Sequence, residues 1–284
     1  MNYKPYICTL IGALVCLAGC KKTDKNEPAT KMVAGNYVDL GVRTDYKLLR
    51  LSTRYANGDS NYYRFSYNTV GMVDTIFFSN TTKGRGAGYN DIHRYYYIEY
   101  DSKNWPSKIA ITPFDPQGKA TTSLVKYNEE KGLVMQITSE SGAMLSDFEY
   151  EGNNVIRSNV KNEYTSGPRD YKYDGSNIIV SQYVVDSNNY DKYQYTSHDD
   201  KKTFIAAIHG LDNVLALAIF DCKDLYNNTL TWEQHRMSTT ADGQKFPYNQ
   251  LSTSQYQYNS GSLPTIKYET LNGIGQTTYY IYDK

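Results

Sequence analysis

The stretch YYYIEYDSKNWPSKIAI, Tyr95–Ile111, holds four tyrosines in six residues, then a polar turn, then Ile-x-Ile. In a β-strand, successive side chains alternate between two faces. Tyr96, Ile98 and Tyr100 therefore share one face, and Tyr95, Tyr97 and Glu99 the other. If the chain turns back after Tyr100, Ile109 and Ile111 can meet the apolar row. Lys108 then lies opposite Glu99, a mildly favourable cross-strand pair. The stretch reads as one hairpin. Tyr95 and Tyr97, on its wetter face, and Trp105, in the turn beside Pro106, are the candidate ligand-facing aromatics. The alternative for Trp105 is packing over a neighbouring hairpin.

The same pattern recurs along the chain. An aromatic-x-aromatic pair, a polar turn and an apolar strand begin at Phe65-Ser-Tyr67, Ile98-Glu-Tyr100, Val125-Lys-Tyr127 and Phe148-Glu-Tyr150. They begin again at Tyr171-Lys-Tyr173, Tyr193-Gln-Tyr195, Tyr256-Gln-Tyr258 and Tyr280-Ile-Tyr282. Intervals of 22–24 residues dominate, and a gap of 63 after Tyr195 marks an insertion. Turn residues follow the aromatic pair in YNTVGMV, YEGNNVI, YDGSNII and YNSGSLP. An earlier hairpin is expected to pair YKLLRLSTRY with NYYRFSY across Asn57-Gly58-Asp59. Composition agrees with many short strands. There are 30 Tyr against 8 Phe and 2 Trp, and tyrosine fits a half-buried pleated surface.

These units resemble the YD repeat of rearrangement-hotspot proteins, Tyr-Asp-x-x-Gly-x-Leu. Tyr100-Asp101 and Tyr173-Asp174 keep the dipeptide; Tyr67-Asn68, Tyr127-Asn128 and Tyr258-Asn259 vary it. From about residue 36 onward the chain resembles Bacteroidota lipoproteins of unknown function built from such hairpins. In that family an insertion precedes the last Tyr-x-Tyr units, and DDKKTFIAAIHGLDNVLALAIFDC fills the slot here. True rearrangement-hotspot proteins wind dozens of repeats into a shell around a toxin. This chain has eight units and no terminal toxin domain, so the resemblance does not extend to encapsulation.

The N-terminus carries an address. Lys4 and the apolar run Ile7–Leu17 form a signal segment too short to span a bilayer as a stable helix. Leu17-Ala18-Gly19-Cys20 resembles the bacterial lipoprotein box, which implies cleavage after residue 19 and lipidation of Cys20. Residues 20–35 read as a flexible polar tether and 36–284 as one repeat domain. Lys21 in place of Asp implies sorting to the outer membrane, with the periplasmic or cell-surface face open.

Of four cysteines, Cys8 and Cys16 leave with the signal and Cys20 takes lipid. Cys222 remains as a buried, inert thiol, and no disulfide forms within the domain. Formal net charge is zero with no basic block, which excludes a nucleic-acid partner. No catalytic, cofactor-binding or metal residues are assigned. His93, His198, His209 and His235 are scattered, and SHDD at 197–200 reads as a solvated turn. GRGAG at 84–88 lacks the strand-then-helix context of a phosphate loop. Glu99 and Glu149 read as outward strand residues and Glu163 as a further strand carboxylate; no glycosidase pair can be placed. Asp74-Thr75-Ile76 matches a short O-glycosylation pattern of Bacteroidota periplasmic proteins.

The expected fold is all-β: a long antiparallel meander of hairpins curled into an open barrel or sandwich-like roll, with a propeller as the alternative. A small helical insertion is expected around 203–225, with Phe204, Ile208, Leu211, Leu215 and Ala218 on one stripe, packed over an end or face of the sheet. The expected function is a non-catalytic, lipid-anchored envelope module that binds a glycan or protein. The alternatives are an accessory subunit of an outer-membrane assembly and a polysaccharide-degrading enzyme.

Overall fold

A computed structural model describes residues 44–81, 92–112, 119–161, 166–220, 225–240 and 242–284. The signal segment, Cys20, the tether, the 84–88 glycines, Glu163 and Cys222 lie outside the described residues.

Among the described residues, sixteen strands run β1 (Lys47–Tyr55), β2 (Ser60–Tyr67), β3 (Val73–Thr81), β4 (Ile92–Tyr100), β5 (Pro106–Ile111), β6 (Thr121–Asn128), β7 (Leu133–Ser139) and β8 (Met144–Glu151). They continue as β9 (Asn154–Lys161), β10 (Ser166–Asp174), β11 (Asn177–Asp186), β12 (Asn189–Lys202), β13 (Asn227–Thr239), β14 (Lys245–Tyr258), β15 (Pro264–Leu271) and β16 (Ile274–Asp283). Every strand pairs antiparallel with its sequence neighbour, and β1 pairs with β16. The all-β meander is as expected, but the sheet closes rather than staying open. Beside the last unit, Tyr280-Ile-Tyr282, β1 supplies the neighbouring strand from the other end of the domain, with Leu51 opposite Tyr280. Closing the sheet removes both free edges, which would otherwise template aggregation.

The opening hairpin is β4–β5. Tyr96 pairs with Ile111 and Ile98 with Ile109, all facing the core, while Glu99 sits opposite Lys108 with 3.4 Å between their charged atoms. The first hairpin forms across Asn57–Asp59, where Gly58 donates to the Tyr55 carbonyl.

The Tyr-Asx dipeptide has a physical reason at each position. Most even-numbered strands end at the tyrosine or one residue after it, and in five units its hydroxyl reaches back to the start of the preceding strand; β12 runs on past Tyr195 to Lys202, and Tyr258 bonds Asp199 instead. Tyr67 donates to the Leu48 carbonyl, Tyr100 to Val73, Tyr127 to Pro106, Tyr150 to Val134 and Tyr282 to Pro264, at 2.5–2.9 Å. Each bond ties one hairpin to the one before it. The Asx that follows caps the turn: Asp101 Oδ1 accepts from the Lys103 and Trp105 amides, and Asn259 Oδ1 from Gly261 and Leu263. Three residues after the Asx the backbone turns left-handed, at Gly71, Asn104 and Ser262. The residue after that points into the core: Met72, Trp105 and Leu263 are all buried.

The insertion between β12 and β13 folds into the barrel instead of over it. A 3-10 turn at Phe204–Ala207 and α1 (Asn213–Phe220) join one core with residues of the surrounding wall. Four consecutive residues, Val214–Leu217, are buried, so α1 is buried around most of its circumference and carries no single apolar stripe. Ala218, assigned to that stripe, is exposed. The insertion sits at the Tyr-Asx rim, where Val73 donates to the His209 carbonyl and Tyr67 to Ala207. The chain also enters the barrel at this rim, with His209 Nε2 at 2.9 Å from the Thr44 carbonyl oxygen.

Asp212 caps α1, accepting from the Leu215 amide at 2.6 Å. Burial pushes its carboxyl up to about 7, against the opposing effect of the Leu215 and Val214 amides. A carboxyl raised in the fold stabilises it in the protonated state. That contribution is complete below about pH 4 and is lost as pH rises towards 7. We expect stability to fall by about 2 kcal/mol from this group between pH 5 and 8. Asp212→Asn keeps the cap acceptor and should flatten that part of the profile. Urea denaturation of both proteins at the two pH values tests this, and parallel pH profiles would refute it.

A blind pocket in the barrel lumen

With one rim plugged, the lumen is a cup. Its cavity of about 440 Å³ is lined from β1, β2, β12, β13, β15, β16 and the insertion. Phe204 and Phe220 come from the insertion, and Tyr63, Tyr193, Tyr195, Trp232 and Tyr280 from the wall. Tyr193 and Tyr195 stack at 6.4 Å, and Trp232 tilts against Tyr193 at 5.7 Å. Alternation puts these rings inward, one from every second residue of neighbouring strands.

The polar lining is concentrated on β15 and β16. Glu269 is buried; its Oε1 accepts from Ser252 at 2.8 Å and from Trp232 Nε1 at 3.2 Å, and its Oε2 lies 3.2 Å from Lys267 Nζ. Burial alone would raise the Glu269 carboxyl, but the Lys267 ammonium and the hydrogen bonds from Ser252 and Gln276 outweigh it and hold it below the usual range. It is therefore ionised at neutral pH. Glu269 and Lys267 are the charged residues of this lining, and they cancel. Across the cup, Asn61 Nδ2 donates to Tyr55 Oη, while Asn61 Oδ1 is buried with no hydrogen-bond partner among the described residues. The site offers aromatic faces and a neutral balance of charge.

The candidate aromatics fall elsewhere. Tyr95 and Tyr97 lie on the outer wall, 37% and 44% exposed and stacked at 5.9 Å. Tyr95 continues through Phe77 to Tyr62, with Arg64 over the Phe77 ring. Trp105 is only 2% exposed and packs on Tyr127 at 4.9 Å, so it is not available to a ligand. It fills the inward position that Met72 and Leu263 fill in other units. In SHDD, Asp199 accepts from Asn228 and Tyr258 within the sheet. Asp74 and Thr75 are half-buried on β3, and Glu99 and Glu149 are exposed on the outer face. Trp232, Glu269 and Asn61 escape a linear reading because six strands far apart in sequence bring them together.

The outer wall is charged. Arg50, Arg54, Arg64, Glu99, Lys126, Glu149 and Lys172 are exposed on it, and Arg157 bridges Asp170 at 2.7 Å. No helix among the described residues is long and apolar enough to cross a membrane.

No family model matches the chain, and no curated protein matches it. Among solved structures it is similar to a porin-like protein from Bacteroides uniformis ATCC 8492, at 12% identity and a TM-score of 0.40 over 83% of this chain and 98% of that one. It is also similar to part of a TcdB2-TccC3-TEV structure, at 9% identity and a TM-score of 0.32 over 75% of this chain and 10% of that one. At these scores neither likeness bears on function.

Proposed function

We propose that this chain is a non-catalytic envelope lipoprotein, anchored in the outer membrane through lipid on Cys20, whose barrel lumen binds a neutral saccharide. The anchor rests on the lipoprotein box and on the resemblance of the eight hairpin units to Bacteroidota lipoproteins. The charged outer wall supports lipid anchoring over a membrane-spanning barrel, because each Arg or Lys facing lipid near mid-bilayer costs about 2–4 kcal/mol. The plugged rim supports a binding cup over a channel.

The observation that carries the binding reading is the cavity itself. Its volume falls in the range of small-ligand sites, which are mostly apolar with a few placed polar groups. Sugar rings offer apolar C–H faces to Trp232 and Tyr193, and hydroxyl donors to Glu269. The compensated Glu269–Lys267 pair favours a ligand without net charge.

Calorimetric titration with cello-, malto- and manno-disaccharides tests this. At least one should bind, and Trp232→Ala should weaken it about tenfold or more while the thermal midpoint stays within a few degrees. No binding across the panel, or binding indifferent to Trp232, would reject the reading.

The outward aromatic patch at Tyr95 and Tyr97 favours a second reading, an accessory subunit that meets another envelope protein through that face.

A further inference from the structure

We infer that the cup takes the end of a longer oligosaccharide, and that Phe246 and Tyr248 hold the sugar units outside it. This inference rests on the saccharide reading of the pocket.

The rim opposite the plug is uneven. The β15–β16 turn ends the wall at Leu271–Ile274 and the β1–β2 turn ends it at Tyr55–Ser60. On the other side β14 pairs with β15 only from Ser252 onward, whereas its pairing with β13 continues from Ser252 to Lys245. Residues 245–250 thus extend a raised flap about 20 Å past the low wall, formed with β13 and backed by β12, which pairs with β13 as far as Met237.

The inner face of that flap continues the pocket wall. Ser252, which bonds Glu269 in the lumen, shares its face with Gln250, Tyr248 and Phe246 by alternation. Their cross-strand partners are Trp232, Gln234, Arg236 and Ser238. Tyr248 and Phe246 are each 46% exposed, two rings about 7 Å apart in line with Trp232. Between Trp232 and these rings lie the amides of Gln234 and Gln250, and Gln250 accepts from Tyr248 Oη at 3.0 Å. Aromatic faces interleaved with amides suit successive sugar units better than an apolar protein segment. The plug makes the cup blind, so a linear chain enters by one terminus and leaves along the flap.

The test compares dimers and hexamers of the same cello-, malto- and manno-series by calorimetry on the full chain. Wild type should bind the hexamer about tenfold tighter than the dimer. Phe246→Ala/Tyr248→Ala should lose that gain and leave dimer affinity unchanged, whereas Trp232→Ala should weaken both. Dimer binding with no gain on lengthening, or a gain that survives the double substitution, overturns the flap while the pocket stands. Hexamer binding that survives Trp232→Ala overturns the pocket reading and, with it, terminal recognition. No binding at any length overturns both.

Discussion

Trp105→Ala should destabilise the barrel by about 4 kcal/mol and leave saccharide affinity unchanged. The indole is buried, lies against Tyr127 and has Lys103 Nζ 4.7 Å from its ring. Its backbone is fixed by the Asp101 cap and by Asn104 in the left-handed region, so the emptied site cannot collapse by moving the turn. Truncating a large aromatic in such a place costs about 3–5 kcal/mol in lost transfer energy and residual cavity. Trp105→Leu should recover about half, because Leu263 fills the equivalent position and because Trp105 Nε1 is buried without a partner among the described residues. Chemical denaturation measures the loss, and titration on folded protein measures affinity. A ligand-facing tryptophan would give the reverse outcome, normal stability with lost binding, and that result would restore Trp105 as a site residue.

Trp105 also shows how far the sequence could be read. A two-residue alternation is enough to assign the faces of Tyr95–Ile111, because burial on one side makes a register slip costly. It yields the Glu99–Lys108 pair and the outward placement of Tyr95 and Tyr97. Alignment on the aromatic pair alone leaves Trp105 unassigned; carried four residues past the Asx, it superposes Trp105 on Met72 and Leu263. Closure was not legible, because the pairing of β1 with β16 joins opposite ends of the domain and no local pattern announces it. The lumen was not legible. Glu269, Asn61 and Trp232 belong to no shared motif, and the closed sheet is what brings β2 within reach of β13 across a shared cavity. The insertion was readable as helical and unreadable as internal, since Val214–Leu217 are uniformly apolar and a uniform segment indicates burial without saying where.

Gly210→Ala should cost about 3 kcal/mol and weaken saccharide binding together with stability. Gly210 has φ +87 between the 3-10 turn and α1. A Cβ there would lie 2.6 Å from Tyr100 Oη and 2.8 Å from Met72 Cβ. The left-handed backbone accounts for about 1–2 kcal/mol of the loss and overpacking for about 1–3. Neither neighbour can yield cheaply. Tyr100 Oη donates to the Val73 carbonyl at 2.6 Å, and Val73 in turn donates to His209, beside the glycine. Relief therefore requires the plug to move off the rim, and its Phe204 and Phe220 line the cup. Binding should fall even under conditions where the variant is fully folded. Gly210→Ala combined with Tyr100→Phe should be less damaging than the sum of the two, because the second change removes the atom the new methyl meets first. Strict additivity, or a single variant as stable as wild type, would mean that the insertion is not locked to the rim at this glycine.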